Sequence, residues 1–150
     1  MTAPGIAGHA THEVTNQVPP LTGRNLYLDH AALVEGVARE GAGWAHERAA
    51  EVGAFWGGEP LEWGFEANRD KPRFSSHNPT GERIDRVDYN AAYHRLMARG
   101  VHDEMHALPW NQEQSGAHVA RAAIYMSGTQ AEAGHGCPIT MTFAAIPALR

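Results

Sequence analysis

The chain has 150 residues, enough for one domain with a sizeable core, and its composition of 43% hydrophobic and 19% charged residues is ordinary for a globular protein. The formal net charge is −5 and Lys71 is the only lysine, so we expect no nucleic-acid contact, because phosphate binding favours a basic face. One cysteine, Cys137, excludes an internal disulfide and, with no secretory leader pattern, predicts a cytoplasmic protein. The sequence holds no apolar run long enough to cross a membrane.

The first 24 residues predict an extended N-terminal arm. They include Pro4, Pro19 and Pro20 and few large apolar side chains. From residue 25 onward the apolar spacing becomes helical, so we place one helical domain over residues 25–150.

The apolar spacing and the helix-end signals predict an all-α domain of five to six helices. Asp29 is the expected N-cap of the first helix, Pro60 suits the first turn of the third, and Gly57 follows the second. The expected helices cover approximately residues 30–41, 43–56, 59–68, 90–105 and 115–134, with a last one from residue 138. Residues 68–87 are polar and broken by proline and glycine, which predicts a long surface excursion ending in a short extended or irregular segment.

Residues 115–149 carry the clearest helix pattern of the chain. One helix face is predicted by the spacing of Val119, Ala122, Ala123, Met126, Gln130 and Ala133, and a second row is mostly small: Ala120, Ile124, Ser127, Ala131 and Gly134. A helix that is apolar or small over so much of its circumference is typical of a central position.

The end of that stretch predicts a helix break followed by an apolar helix. Gly134 and Gly136 favour a left-handed helix end, and Pro138 suits a new first turn. Pro147 limits the length of the new helix. The apolar segment before Arg150 needs a covering surface, because exposed apolar patches of this kind are uncommon on monomers.

Ten histidines raise the possibility of a metal site. His102 and His106 stand at i and i+4 on an expected helix, with Glu104 between them, and His94 precedes them on the same expected helix. The spacing HDEMH matches neither the HExxH nor the HxxEH zinc pattern, and no third ligand is indicated. The alternative is a set of solvated histidines near a helix end.

Other reactive or aromatic residues have simpler interpretations. Cys137 lacks a neighbouring base, so we expect a small residue that fills a crowded turn. The four tryptophans are expected in the core, and Asp103 with Glu104 on a solvated face. No catalytic residue is therefore predicted.

Four phrases together resemble a known family: HEVTNQVPPL (12–21), NLYLDHAALVEGVAREGAGW (25–44), IDRVDYNAAYHRLM (84–97) and HVARAAIYMSGTQAEAGHGCPITMTFAAIPAL (118–149). In this order they are similar to the amino-terminal helical domain of acyl-CoA dehydrogenases, in the alkylation-response (AidB-type) branch. The resemblance runs over nearly the whole chain, and QAEAGHGCPITMTFAA is its most distinctive phrase.

The resemblance implies an FAD-dependent flavoprotein with an amino-terminal helical domain, a middle β-domain and a carboxy-terminal helical bundle. In that family the flavin accepts a hydride from the acyl group while a carboxylate removes a proton. The catalytic base, the main FAD-binding loops and the DNA-contacting surface belong to the later segments. The expected partners are therefore the remaining domains of such a chain, and the full-length family implies a homo-oligomer.

The resemblance also implies that this domain forms one wall of the acyl/flavin cavity. By position, Met141, Thr142 and Phe143 are the candidates for that wall. Two alternatives remain: a stand-alone helical interaction module, and a small metal protein that uses His102 and His106.

Overall fold

The computed structural model describes residues 12–149, and helices dominate this range. Seven helices and one β-hairpin follow each other in it: α1 (Ala31–Arg39), α2 (His46–Trp56), α3 (Pro60–Arg69), β1 (Arg73–His77), β2 (Arg83–Asp88), α4 (Ala91–His102), α5 (Leu108–Asn111), α6 (Ala117–Ala131) and α7 (Gly136–Leu149). A short 3-10 turn, Gly43–Ala45, leads into α2. The predicted helices are all present, and α5 is an additional short one.

The helix starts follow from local capping, with one correction. Asn90 caps α4, because its side-chain oxygen accepts a hydrogen bond of 2.7 Å from the Ala92 amide. Pro60 lies in the first turn of α3, as predicted. The expected Asp29 cap is wrong: His30 accepts from the Leu33 amide at 3.3 Å, and Asp29 instead pairs with Arg24 at 2.8 Å.

The fold is not strictly all-α, because the surface excursion contains an antiparallel hairpin. Phe74 faces Val87 across β1 and β2, a pairing that favours extended backbone. The turn between the strands is fixed by Asn78, whose side-chain oxygen accepts from the amides of Thr80 and Glu82 at 3.0 and 2.9 Å. The sequence shows only one extended segment here because β1 is short and polar.

Helix α6 is the central helix of the domain. It packs against α1, α2, α3, α5 and α7, which confirms the central position predicted for it. Its buried residues are Ala117, Ala120, Ala123, Ile124, Ser127 and Gly128. The small row therefore faces the core, whereas Met126, on the other predicted face, is 44% exposed. Small side chains occupy the inward side because α2 and α3 approach closely: a Cβ on Gly128 would meet the Trp56 ring of α2, and a Cβ on Gly64 of α3 would meet the Ala131 carbonyl oxygen.

The core lies between α6 and the helices on either side of it. Its largest fully buried apolar side chains are Trp56, Tyr27, Leu96, Met105, Leu108, Ile124 and Ile139. Gly116 has a φ of 75° directly before α6 and lies against the backbone of Gly41, so a side chain there would be both strained and obstructed.

Residues 12–24 form neither helix nor strand and are largely exposed. The Gly23 amide donates to the Gly57 carbonyl oxygen at 2.8 Å, which attaches the end of this segment to the end of α2. The part of the predicted arm before residue 12 lies outside the described residues. Between residues 12 and 149, none of the helices has the length and apolar character that a membrane crossing requires.

Candidate functional site

Helix α7 exposes an apolar face that no described residue covers. This outward face of α7 comprises Met141, Thr142, Ala144, Ala145, Ala148 and Leu149. Met141 is 65% exposed and Leu149 is 83% exposed. The only hydroxyl on the face, that of Thr142, donates to the Pro138 carbonyl oxygen at 3.0 Å. The face is therefore a nearly apolar surface on the outside of the domain, without a charged group of its own.

The opposite side of α7 is attached to the domain through Phe143. Its ring stacks on Trp110 with a centroid distance of 5.1 Å, and His118 packs edge-on against both rings. The guanidinium of Arg121 lies 4.1 Å from the centre of the Phe143 ring. The three residues predicted for the cavity wall are thus divided: Met141 and Thr142 point outward, and Phe143 points inward.

The break between α6 and α7 is made by Glu132, and not by left-handed glycines as predicted. Its carboxylate accepts from the backbone amides of Gly134 and His135, both at 2.7 Å, and from His135 Nδ1 at 3.1 Å. Asn68 of α3 donates to the same carboxylate at 3.3 Å. Four donors on one carboxylate fix where α7 begins and thereby orient its outward face.

These contacts give the start of α7 a dependence on pH. Burial raises the pKa of Glu132, but the hydrogen bonds from the backbone amides of His135 and Gly134 and from the side chains of His135 and Asn68 together lower it, and the net pKa lies below the ordinary value. A lowered pKa in the folded state contributes stability above the unfolded value of about 4.3, and that contribution is lost as the pH falls. We therefore expect the free energy of unfolding to fall as the pH drops below about 5. Urea melts at several pH values measure it, and Glu132→Gln should show a shallower fall.

A buried polar network joins α2 to the end of α4. Asp103 is 2% exposed and accepts from Trp56 Nε1 and Arg99 Nε, both at 2.8 Å. Next to it, Glu104 has a φ of 56° and forms an ion pair of 2.8 Å with Arg48. The predicted solvated face for Asp103 is therefore wrong. The available signal was the indole of Trp56, since a buried tryptophan N–H needs an acceptor.

Two histidines of the metal hypothesis, His94 and His102, make other contacts, whereas the buried Nδ1 of His106 has no hydrogen-bond partner among the described residues. His102 Nδ1 lies 3.1 Å from Asp103 Oδ1, and His94 packs edge-on against Tyr89 and Tyr93. Over residues 12–149, no three histidine, cysteine, aspartate or glutamate side chains are grouped as metal ligands.

Two expectations about packing are wrong. Cys137 is exposed in the first turn of α7 and does not fill a crowded turn, because Gly136 is the residue packed under Tyr125 there. Trp44 is exposed and not in the core, since its ring lies at the surface while its Nε1 donates to the Ser115 carbonyl oxygen at 2.9 Å. Trp56 is fully buried, as predicted.

The sequence of this chain matches a known protein family. The sequence model described as "Adaptive response protein AidB N-terminal domain" matches residues 16–150. The chain belongs to this family. As an AidB amino-terminal domain, it is 47% identical over 141 residues to the protein named "Putative acyl-CoA dehydrogenase AidB" of Escherichia coli (strain K12). The match covers 93% of this chain and 26% of that protein, so the chain spans about a quarter of its relative's length.

Two solved structures share the fold of this AidB amino-terminal domain. The structure titled "Bd2924 apo-form" superimposes with a TM-score of 0.76 at 21% identity, over 91% of this chain and 28% of the other. ACDH-11 of Caenorhabditis elegans, solved in complex with C11-CoA, superimposes with the same TM-score at 20% identity, over 94% of this chain and 25% of the other. At these identities the likeness concerns the fold, and in both cases the matched part is a fraction of a longer chain.

Proposed function

We propose that this chain is the amino-terminal helical domain of an AidB-type, FAD-dependent acyl-CoA dehydrogenase-like flavoprotein, and that the outward face of α7 forms one wall of the acyl/flavin cavity. The observation that carries the proposal is that the apolar face of α7 is exposed. The E. coli relative is a longer protein, of which this chain matches 26%. An exposed apolar face of this kind favours burial against another surface. In this proposal the domain comprises residues 25–150 and follows an arm of residues 1–24.

The chemistry of the outward face fits one side of such a cavity. Met141 and Leu149 are suited to contact an acyl chain or an aromatic ring, and the Thr142 hydroxyl is already donated within the helix. Helix α7 carries no cationic side chain that could hold the phosphates of FAD. When bound in the whole protein, FAD would supply the hydride acceptor; these residues would supply shape and exclusion of water.

The proposed partners are the remaining domains of the same kind of chain, in a protein that forms homo-oligomers. A role in the response to DNA alkylation belongs to the same proposal, through the family. Direct contact with nucleic acid is not expected from this segment. Its net charge is −5, and Arg73, Arg83 and Arg86 are each paired with a neighbouring aspartate.

The purified chain should carry no flavin absorbance and should show no saturable binding of added FAD, because one wall does not enclose the cofactor. Visible absorbance and titration of flavin fluorescence measure this. A stoichiometric flavin retained by these 150 residues would overturn the assignment of the cofactor-binding groups to other segments.

The proposed wall can be tested separately from cofactor content. Adding the remaining segment of the E. coli relative as a separate polypeptide should give a complex, and Met141→Glu should weaken it by about tenfold or more, since a carboxylate would be buried in an apolar contact. Met126→Glu, on the exposed side of α6, is the matched control and should leave the complex unchanged. Equal effects of the two substitutions would argue against the outward face as the interface.

A stand-alone interaction module is the second candidate, and the closed core favours it. The described residues alone fully bury Trp56, Leu96 and Ile124. We therefore expect this domain to fold without a further segment. A monomer that melts cooperatively and does not associate through α7 would support this candidate. Association or aggregation that Met141→Glu suppresses would instead support the first proposal, in which this domain packs against other domains of a longer chain.

A further inference from the structure

We infer that Arg121 is a positioning residue that holds α7 against the body of the domain and so sets the direction of its outward face. Arg121 lies on α6, but its side chain contacts two other parts of the chain. Its Nε donates to the Met105 carbonyl oxygen at 2.7 Å, in the turn before α5. Its second nitrogen donates to Thr140 Oγ1 of α7 at 3.3 Å.

The same guanidinium is held between two aromatic rings. Its carbon lies 4.4 Å from the centre of the Tyr125 ring and 4.1 Å from that of Phe143, with Tyr125 on α6 and Phe143 on α7. A planar guanidinium can stack on rings while its edge donates hydrogen bonds, which an ammonium group cannot do in the same geometry. Arg121 therefore joins α6, α7 and the α4–α5 turn through a single side chain.

The environment of Arg121 is that of a structural cation. Burial lowers its pKa, although the Tyr125 ring opposes this in part. None of the ion pairs formed within residues 12–149 at up to 4.0 Å involves Arg121. The cation is held by rings and neutral acceptors, so its removal would leave no buried carboxylate behind.

The rest of α7 has few attachments of its own. Gly136 and Ile139 are its only fully buried residues, and both lie in its first turn. Beyond them, the inward contacts include Thr140 and Phe143, and Arg121 touches both. The hold on the later turns of α7 thus depends on this guanidinium, with Trp110 supporting Phe143 from the other side.

The consequence for the cavity wall rests on the proposed function, whereas the attachment of α7 does not. If the outward face borders an acyl or flavin group in the whole protein, Arg121 acts on it from behind, without contact with that group. A loss of Arg121 would change the position of Met141 and Thr142 while leaving both side chains intact.

Hydrogen–deuterium exchange of the 150-residue chain, without any ligand, tests the attachment. We expect Arg121→Met to speed exchange of the amides of residues 141–149 by about tenfold, while α2 and α4 keep their protection. Phe143→Leu should give the same pattern, and the two substitutions together should add little to either, because they remove one shared contact. Arg121→Lys should fall between the wild type and Arg121→Met.

The control is Arg39→Met on α1, an exposed arginine whose change should alter no exchange rate in α7. Three outcomes would overturn the inference: unchanged exchange of residues 141–149 in Arg121→Met, an equal rise over the whole chain, or fully unprotected α7 amides in the wild type. Because no flavin enters the experiment, its failure is distinct from a failure of the proposed cavity wall.

Discussion

Asp103→Ala is expected to lower the free energy of unfolding by about 3–5 kcal/mol, a large part of the stability of a domain of this size. The substitution leaves Trp56 Nε1 without its acceptor and Arg99 without its counter-charge, both next to the core. Urea denaturation followed by tryptophan fluorescence measures the loss. Trp56 itself reports on the site.

Two further variants separate the causes of that loss. Asp88→Ala removes a carboxylate of an exposed ion pair with Arg86, and should cost about 1 kcal/mol or less. Asp103→Asn keeps an acceptor for Trp56 but removes the charge opposite Arg99, so its cost should lie between the two. A cost for Asp103→Ala no larger than that for Asp88→Ala would contradict the burial of the network.

Ile124→Ala is expected to cost about 2–4 kcal/mol, because Ile124 is 1% exposed in the middle of α6 and its truncation leaves a cavity. Met126→Ala, two residues further along the same helix, should change stability by about 0.5 kcal/mol or less. Thermal and urea melts of the two variants measure the difference. A larger cost for Met126→Ala than for Ile124→Ala would contradict the exposure of Met126 and the burial of the small row.

The contrast between Ile124 and Met126 concerns a property that the sequence alone does not predict, namely which side of α6 faces the core. The presence and order of the long helices follow from apolar spacing, caps such as Asn90 and breaks such as Gly57. The side of α6 that faces inward does not follow from hydrophobicity. It is set by the close approach of α2 at Gly128 and of α3 at Gly64, a tertiary constraint that favours small side chains on that side.

The same limit applies to polar residues. Asp103 is adjacent to Glu104 in a charged stretch, and such a stretch normally predicts a solvated surface. Its burial depends on Trp56, which is 47 residues earlier in the chain. The hairpin is different, since Asn78 and Gly81 are recognisable turn residues and only the short polar β1 obscures the pairing.

The sequence indicates which segment is the candidate for the cavity wall, but it does not indicate which side chains of that segment point outward. The family resemblance leads to residues 141–143, and the apolar pattern indicates a need for cover. Neither signal could assign Phe143 to the inner side of α7, because its orientation depends on contacts with Arg121 and Trp110, which lie on α6 and α5. Positions one residue apart on a helix point in different directions, so a contiguous motif is divided between two surfaces.

The late place of α6 in the chain has a consequence for biosynthesis. Helices α1, α2 and α3 all pack on α6, and Gln130 near its end donates to the Leu26 carbonyl oxygen, 104 residues earlier. Until residues 117–131 leave the ribosome, Tyr27 and Trp56 have no completed core to enter, so their apolar surface stays exposed during synthesis. We therefore expect the core to close on the ribosome only after α6 emerges.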